Sequence, residues 1–173
     1  MTRLVLAATL GANYGIYGPA YELCETRRKD TTSEEYLNSE KYEIKHWDIN
    51  GPDSLKGFIA KVNSIRKETP ALQSNLNLRF HRIDNEQLIA YSKMTDDINN
   101  MILVVVNLDY RYKQSAWLEL SLEELGLDHD QRYRVHDLLN DASYEWRGSR
   151  NYIELDPVVC PAHIFRIEPG VMK

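Results

Sequence analysis

A change of hydrophobic period near residue 75 constrains this chain more than any other feature. Ahead of it the apolar residues recur at helical spacings; behind it they alternate or run continuously, as strands require. Residues 3–10 (RLVLAATL) are apolar on nearly every side and predict a helix buried between layers, ended by Gly11. Residues 13–17 (NYGIY) predict a short strand closed by Gly18 and Pro19, and residues 22–45 a long polar loop of the kind that often carries function. Over residues 52–68, Leu55, Phe58, Ile59, Val62 and Ile65 form one apolar stripe, with Lys56, Lys61, Arg66 and Lys67 on the other faces. Pro52 suits the first turn, Asp53 the positive end of the helix dipole, and Pro70 marks the far end.

Past residue 75 the pattern predicts strand after strand. Leu76, Leu78 and Phe80 alternate with Asn77, Arg79 and His81; residues 88–94 follow an Asp84-Asn85-Glu86 turn; residues 101–106 are continuously apolar, as a strand buried on both faces would be. Further strands are expected over 115–120, 132–138, 143–147, 152–155 and 163–167, with one helical turn over 122–127. Short strands at this spacing predict an antiparallel β-sandwich.

The chain has 173 residues, 43% hydrophobic and 27% charged, which is ordinary for a folded domain. Its net charge of −5 argues against nucleic acid as partner, because holding phosphates needs surplus Lys and Arg. No apolar run approaches the length of a membrane span, and no signal peptide is recognisable. Cys24 and Cys160 lie far apart and form no CxxC pair, so a reducing, cytoplasmic setting is expected. His46, His81, His129, His136 and His163 show no metal-ligand spacing, and no nucleophile elbow or phosphate-cradling glycine loop is present. Neither a cofactor nor a metal is expected.

Residues 1–75 supply one short strand and two helices, whereas a (β/α)8 barrel closes with eight strands and usually ~250 residues. Two arrangements satisfy this: the segment packs on the sandwich in reduced form, or it is the end of a barrel whose other strands lie elsewhere.

Four runs then carry a resemblance: LAATLGANYGIYGPAYELCE (6–25), EEYLNSEKYEIKHWD (34–48), IAKVNSIRKETPALQ (59–73) and LRFHRIDNEQLIAYSK (78–93). Together they resemble the C-terminal part of the bacterial α-1,4-glucan:maltose-1-phosphate maltosyltransferases, members of the α-amylase superfamily, across nearly the whole chain. The resemblance implies an α+β fragment: residues 1–75 as the terminal βα elements of a catalytic (β/α)8 barrel (helix 7, strand 8, loop, helix 8) and residues 76–173 as the antiparallel β-sandwich that follows it. It also implies a retaining reaction, with a carboxylate nucleophile and an acid/base about 5 to 5.5 Å apart. In the superfamily these groups and a third, stabilising carboxylate follow the fourth, fifth and seventh barrel strands. All three would then lie upstream of Met1, leaving this chain inactive alone and without catalytic residues of its own. The acids of its loop, Asp30, Glu34, Glu35, Glu40, Glu43 and Asp48, read as solvated side chains.

Lys41 and Tyr42 match the family's Lys-Tyr pair, which implies contact with the donor maltosyl unit at the sugar farther from the phosphate. An ammonium donates to sugar hydroxyls, and a phenol offers a hydroxyl and an apolar face. Without the resemblance, the same two residues read as a wet lysine and a packed tyrosine. Tyr17 and Glu22 could line the pocket or brace the loop; Cys24 reads as packing; Trp47, Trp117 and Trp146 read as core or interdomain contacts rather than a sugar platform. The implied partners are α-1,4-glucan and maltose 1-phosphate in the complete enzyme, the missing barrel portion, or a second copy in a homodimer. The alternative is a stand-alone α-glucan-binding or assembly module that complements a separate barrel chain.

Overall fold

The computed structural model describes residues 1–41, 43–96, 100–129 and 131–169. They form two compact units: Met1–Tyr14 together with the chain from Val62 onward, and Gly15–Lys61.

The larger unit is built on two antiparallel sheets. Nine strands, β1 (Arg79–Phe80), β2 (Arg82–Ile83), β3 (Leu88–Met94), β4 (Met101–Asn107), β5 (Gln114–Glu119), β6 (Arg132–Asp137), β7 (Ala142–Arg147), β8 (Arg150–Leu155) and β9 (Ala162–Pro169), divide into a six-stranded sheet ordered β1-β3-β4-β9-β6-β7 and a three-stranded sheet ordered β2-β5-β8. The core between them gathers Leu88, Ala90, Leu103, Val105, Ala116, Leu118, Val135, Ile153, Phe165 and Ile167. Alternation sends the remaining β4 side chains, Ile102, Val104 and Val106, to the opposite face, where they are also fully buried. Helix α1 (Thr2–Leu10) and the 3₁₀ turn Pro70–Gln73 cover that face. The continuous apolar run of β4 is thereby explained by two covered faces.

Polar contacts fix α1 in place. Thr9 Oγ1 donates to the Val5 carbonyl (2.6 Å), so the hydroxyl of Tyr91 on β3 donates to Thr9 (2.5 Å). Burial pushes the Tyr91 phenol up to about 12, against the pull of that bond. At the C-terminal end of α1 the Arg66 guanidinium donates to the carbonyls of Ala8, Gly11, Ala12 and Leu72, and Lys93 Nζ donates to the Leu10 carbonyl (3.2 Å). A helix C-terminus presents carbonyls without intrahelical partners and a partial negative charge, and two cations answer both. Lys93 is fully buried; burial, then the nearby Arg66 charge, lowers its pKa from the ordinary lysine value.

Three expectations are corrected. The strand expected over residues 13–17 does not form, because no strand pairs with it among the described residues and strand backbone is stable only in a ladder. The helix expected from residue 52 starts later, as α3 (Lys56–Glu68): Pro52 and Asp53 lie in a turn, and the Ser54 hydroxyl accepts the Lys56 N–H (3.2 Å). The alternating run from Leu76 is two short strands in different sheets. The chain changes sheets at His81, whose N–H reaches the Ala90 carbonyl (2.9 Å).

The smaller unit begins with α2 (Gly18–Glu22), a single turn that the Gly-Pro pair did not announce. The loop after it folds back on itself: Arg28 bridges Tyr36, Lys29 N–H reaches the Glu35 carbonyl (2.9 Å) and Leu37 N–H the Arg27 carbonyl (2.9 Å). Asp30 Oδ1 closes the turn by accepting from Thr32 N–H, Thr32 Oγ1 and Ser33 N–H.

Candidate functional site

In the smaller unit the loop side chains converge on one carboxylate. Glu40 Oε1 accepts the indole N–H of Trp47 (2.8 Å) and Oε2 accepts the hydroxyl of Tyr17 (3.1 Å). Its own backbone N–H, then Trp47 and Tyr17, hold the Glu40 carboxyl below its ordinary pKa, while the bond to Glu40 raises that of Tyr17. The Tyr17 ring stacks on Tyr36 (5.8 Å between centroids, 15° between planes), and Lys45 Nζ sits 4.7 Å from the Trp47 ring while donating to the Leu37 carbonyl (2.9 Å). The result is a polar surface with aromatic faces, suited to hydroxyl-rich ligands.

Lys41 extends beside this cluster. Its side chain is largely exposed and its ammonium donates to Glu35 Oε1 (2.9 Å), with Lys29 at 3.5 Å from the other oxygen. Tyr42 lies outside the described residues. Glu22 ends α2, where its carbonyl accepts the Leu55 N–H (2.8 Å); this backbone contact ties the two ends of the loop together. Cys24 is exposed rather than packed, in a left-handed backbone conformation (φ 52°).

The loop's other carboxylates are engaged locally. Glu25 holds Arg27 through a forked pair (2.7 to 3.2 Å) and the Arg27 N–H (2.8 Å), which lowers its carboxyl to about 2. An NMR titration should therefore find Glu25 ionised until about pH 2, and Arg27→Ala should raise its midpoint toward the ordinary glutamate range without fully restoring it, because the backbone N–H at position 27 still donates to the carboxylate. An unshifted midpoint in the unaltered chain would refute the clamp. Among the described residues no group of three or more His, Cys, Asp or Glu side chains is assembled to hold a metal ion.

The larger unit brings together aromatic residues that the sequence scattered. Trp117 on β5 stands opposite Tyr152 on β8, both on the outer face of the three-stranded sheet, 44% and 51% exposed, with rings edge to face at 5.6 Å. Tyr144 and Trp146 on β7 both meet Phe165 edge-on (6.2 and 5.4 Å). The chain crosses from β7 in the larger sheet to β8 in the smaller at Gly148 (φ 72°), whose carbonyl accepts from Tyr133 Oη (2.9 Å) and Asn151 Nδ2 (3.2 Å). Burial pushes the Tyr133 phenol up to about 12, so it stays a donor at any physiological pH. Of the tryptophans expected as core or interdomain contacts, Trp146 packs against the core cluster, while Trp117 faces outward. Strict alternation with buried Leu118 and Ile153 was the available signal for the outward pair.

A family profile described as GLGE, C-terminal matches residues 80–167. The chain is 50% identical over 165 residues to the alpha-1,4-glucan:maltose-1-phosphate maltosyltransferase of Methylacidiphilum infernorum, covering 95% of this chain and 25% of that one. It is 49% identical over 171 residues to the enzyme of the same name from Chlorobaculum tepidum, with the same coverage. It thus spans about a quarter of the length of the curated relatives it matches. Among solved structures, the maltogenic alpha-amylase of Thermotoga neapolitana superposes with a TM-score of 0.53 at 20% identity, covering 77% of this chain and 32% of that one. The Anoxybacillus alpha-amylase gives 0.52 at 15%, covering 73% and 25%. At these identities the structural likeness shows a shared fold.

Proposed function

Because the chain belongs to the GLGE C-terminal family, we propose that it serves a maltosyltransferase that moves maltosyl units from α-maltose 1-phosphate to the non-reducing end of an α-1,4-glucan. The observation that carries this is the near-50% identity, which runs through the Tyr17–Glu40–Trp47 loop as well as the sandwich. In this reading residues 1–75 are the terminal elements of a (β/α)8 barrel and residues 76–173 the sandwich behind it. The loop forms part of the rim at the barrel's C-terminal face, where sugar-contacting groups belong. Lys41 and Tyr42 bind the donor maltosyl unit: the ammonium releases Glu35 or shares its three protons with sugar hydroxyls, and the phenol ring covers a pyranose face.

Retaining transfer needs two carboxylates facing each other across the anomeric carbon. Glu25, Asp30, Glu35 and Glu40 are each bound to neighbours in their own loop instead, which supports a chain that grips sugar and takes its acids from barrel elements carried elsewhere. The partner in this reading is the polypeptide carrying those elements, or a second copy in a homodimer. No helix among the described residues is long and apolar enough to cross a membrane, and both cysteines are free, which suits work in the cytoplasm.

The test is a graft. The 173-residue chain should release no phosphate from α-maltose 1-phosphate with maltohexaose as acceptor. Substituted for the matching quarter of the Chlorobaculum tepidum enzyme, it should support transfer. In that graft Lys41→Ala should raise the donor KM about tenfold or more, as loss of a charge-assisted hydrogen bond does, with a smaller effect on kcat. Turnover by the chain alone, or a dead but folded graft, would overturn the proposal.

A further inference from the structure

The open edge of the sandwich carries a cleft that the reaction proposed above does not use. Three strands face six, so the second sheet cannot cover the whole inner face of the first. Tyr144 shows where cover ends: it stands opposite fully buried Val135, on the same core-facing side, yet is 46% exposed. Between the overhanging β7 and the free edge of β8 lies a cleft of about 210 Å³, lined by Tyr144, Trp146, Tyr152, Glu154, His163 and Phe165. Tyr152 joins it to Trp117 on the outer face, where the Arg150 guanidinium lies 4.8 Å from the Trp117 ring.

We propose that this cleft and the adjoining Trp117–Tyr152 face bind a stretch of α-1,4-linked glucan, through residues distinct from those of the Lys41 loop. The identity of the polymer rests on the function proposed above; the chemistry of the site rests on the structure. A pyranose presents flat C–H faces edged by hydroxyls, and the site offers the complement: aromatic faces edged by paired polar groups. Glu154 is bound to Lys113 (3.1 Å) and Glu119 to Arg82 (3.7 Å), with Arg150 opposite Glu119 across the sheet. These charges cancel in pairs and project no field that would draw a nucleic acid or an acidic peptide. They remain good donors and acceptors for hydroxyls. Aromatic side chains with polar tips also make a poor seat for an aliphatic helix, which wants contiguous Leu and Ile. A polymer held here would keep its chain ends at high local concentration near the enzyme that extends them.

Affinity electrophoresis and calorimetry on the 173-residue chain test this with maltoheptaose and glycogen, using cellohexaose and dextran as linkage controls. The α-1,4-linked ligands should bind and the controls should not. Trp117→Ala and Tyr152→Ala should each weaken binding about fivefold or more. Phe80→Ala, another exposed aromatic but on β1 at the far edge of the larger sheet, should leave it unchanged. All three sites are surface positions, and unaltered thermal unfolding verifies the fold. Absence of binding, equal binding by the variants, loss through Lys41→Ala instead, or burial of Trp117 and Tyr152 by the barrel polypeptide would each overturn the proposal. The readout is binding without turnover, so its failure leaves the graft experiment standing, and the reverse.

Discussion

Arg66→Ala should lower the stability of this chain by about 3–5 kcal/mol, enough to unfold many domains of this size. The guanidinium serves four carbonyls at once, those of Ala8, Gly11, Ala12 and Leu72, and lies 5.5 Å from the Tyr14 ring. Three of the four belong to the end of α1 or the turn beyond it, where the helix leaves them unpaired. Each buried carbonyl left without a donor costs about 1–3 kcal/mol, reduced wherever water can enter. Arg66→Lys keeps the charge but not the planar fork, so it should recover less than half of the loss. Urea unfolding followed by tryptophan fluorescence measures both; a loss below about 1 kcal/mol for the alanine variant would show that the bonds contribute no more than average.

Asp137→Ala should cost a similar amount, about 3–5 kcal/mol, because it breaks a buried charged network on one side only. The fully buried carboxylate accepts from His163 Nδ1 (2.7 Å), Asn140 Nδ2 (2.7 Å), Leu139 N–H (3.1 Å) and Ile164 N–H (3.3 Å), joining β6 to β9 and to the turn beyond β6. Burial alone would raise its pKa; the hydrogen bond and charge of His163, with the Leu139 N–H and Asn140, outweigh burial and hold it below the ordinary aspartate value. A carboxyl depressed in the folded state contributes stability that is complete above its unfolded pKa, near ~4. That contribution disappears as pH falls through the folded value. Denaturation at neutral pH and at about pH 3 should therefore show a smaller acid penalty for Asp137→Asn than for the parent chain. Equal penalties would refute the linkage.

Where covalent neighbours decide the structure, the sequence was readable. The stripe of Ile59, Val62 and Ile65 is buried on α3 as its spacing demands, and the run from Met101 to Val106 is buried on both faces. Where a distant partner decides, it was not. Residues 13–17 have strand-like composition and, among the described residues, no strand to pair with. The run around His81 alternates as one strand, yet its two halves join different sheets because Ser92 and Tyr91 call for one and Leu118 and Glu119 for the other. Nothing in the strand pattern around Lys93 announces that its ammonium is buried against the carbonyl at the end of α1, which makes that burial tolerable. The existence of a long polar loop was legible in the sequence, and the sugar-contacting role proposed for it comes from the family resemblance. The loop's convergence on Glu40 was not legible, because Tyr17 and Trp47 reach that carboxylate from opposite sides in sequence. The aromatic cleft required the strand order of both sheets.

The two cations at the end of α1 also decide how this protein can be cut and reused. A graft begun at the change of period near residue 75 would carry β3 and β4 but leave behind the acceptor of Lys93 and the cover of Ile102, Val104 and Val106. Such an excised sandwich would bring a stranded ammonium and an oily back into water. The transplantable piece begins with the first helix.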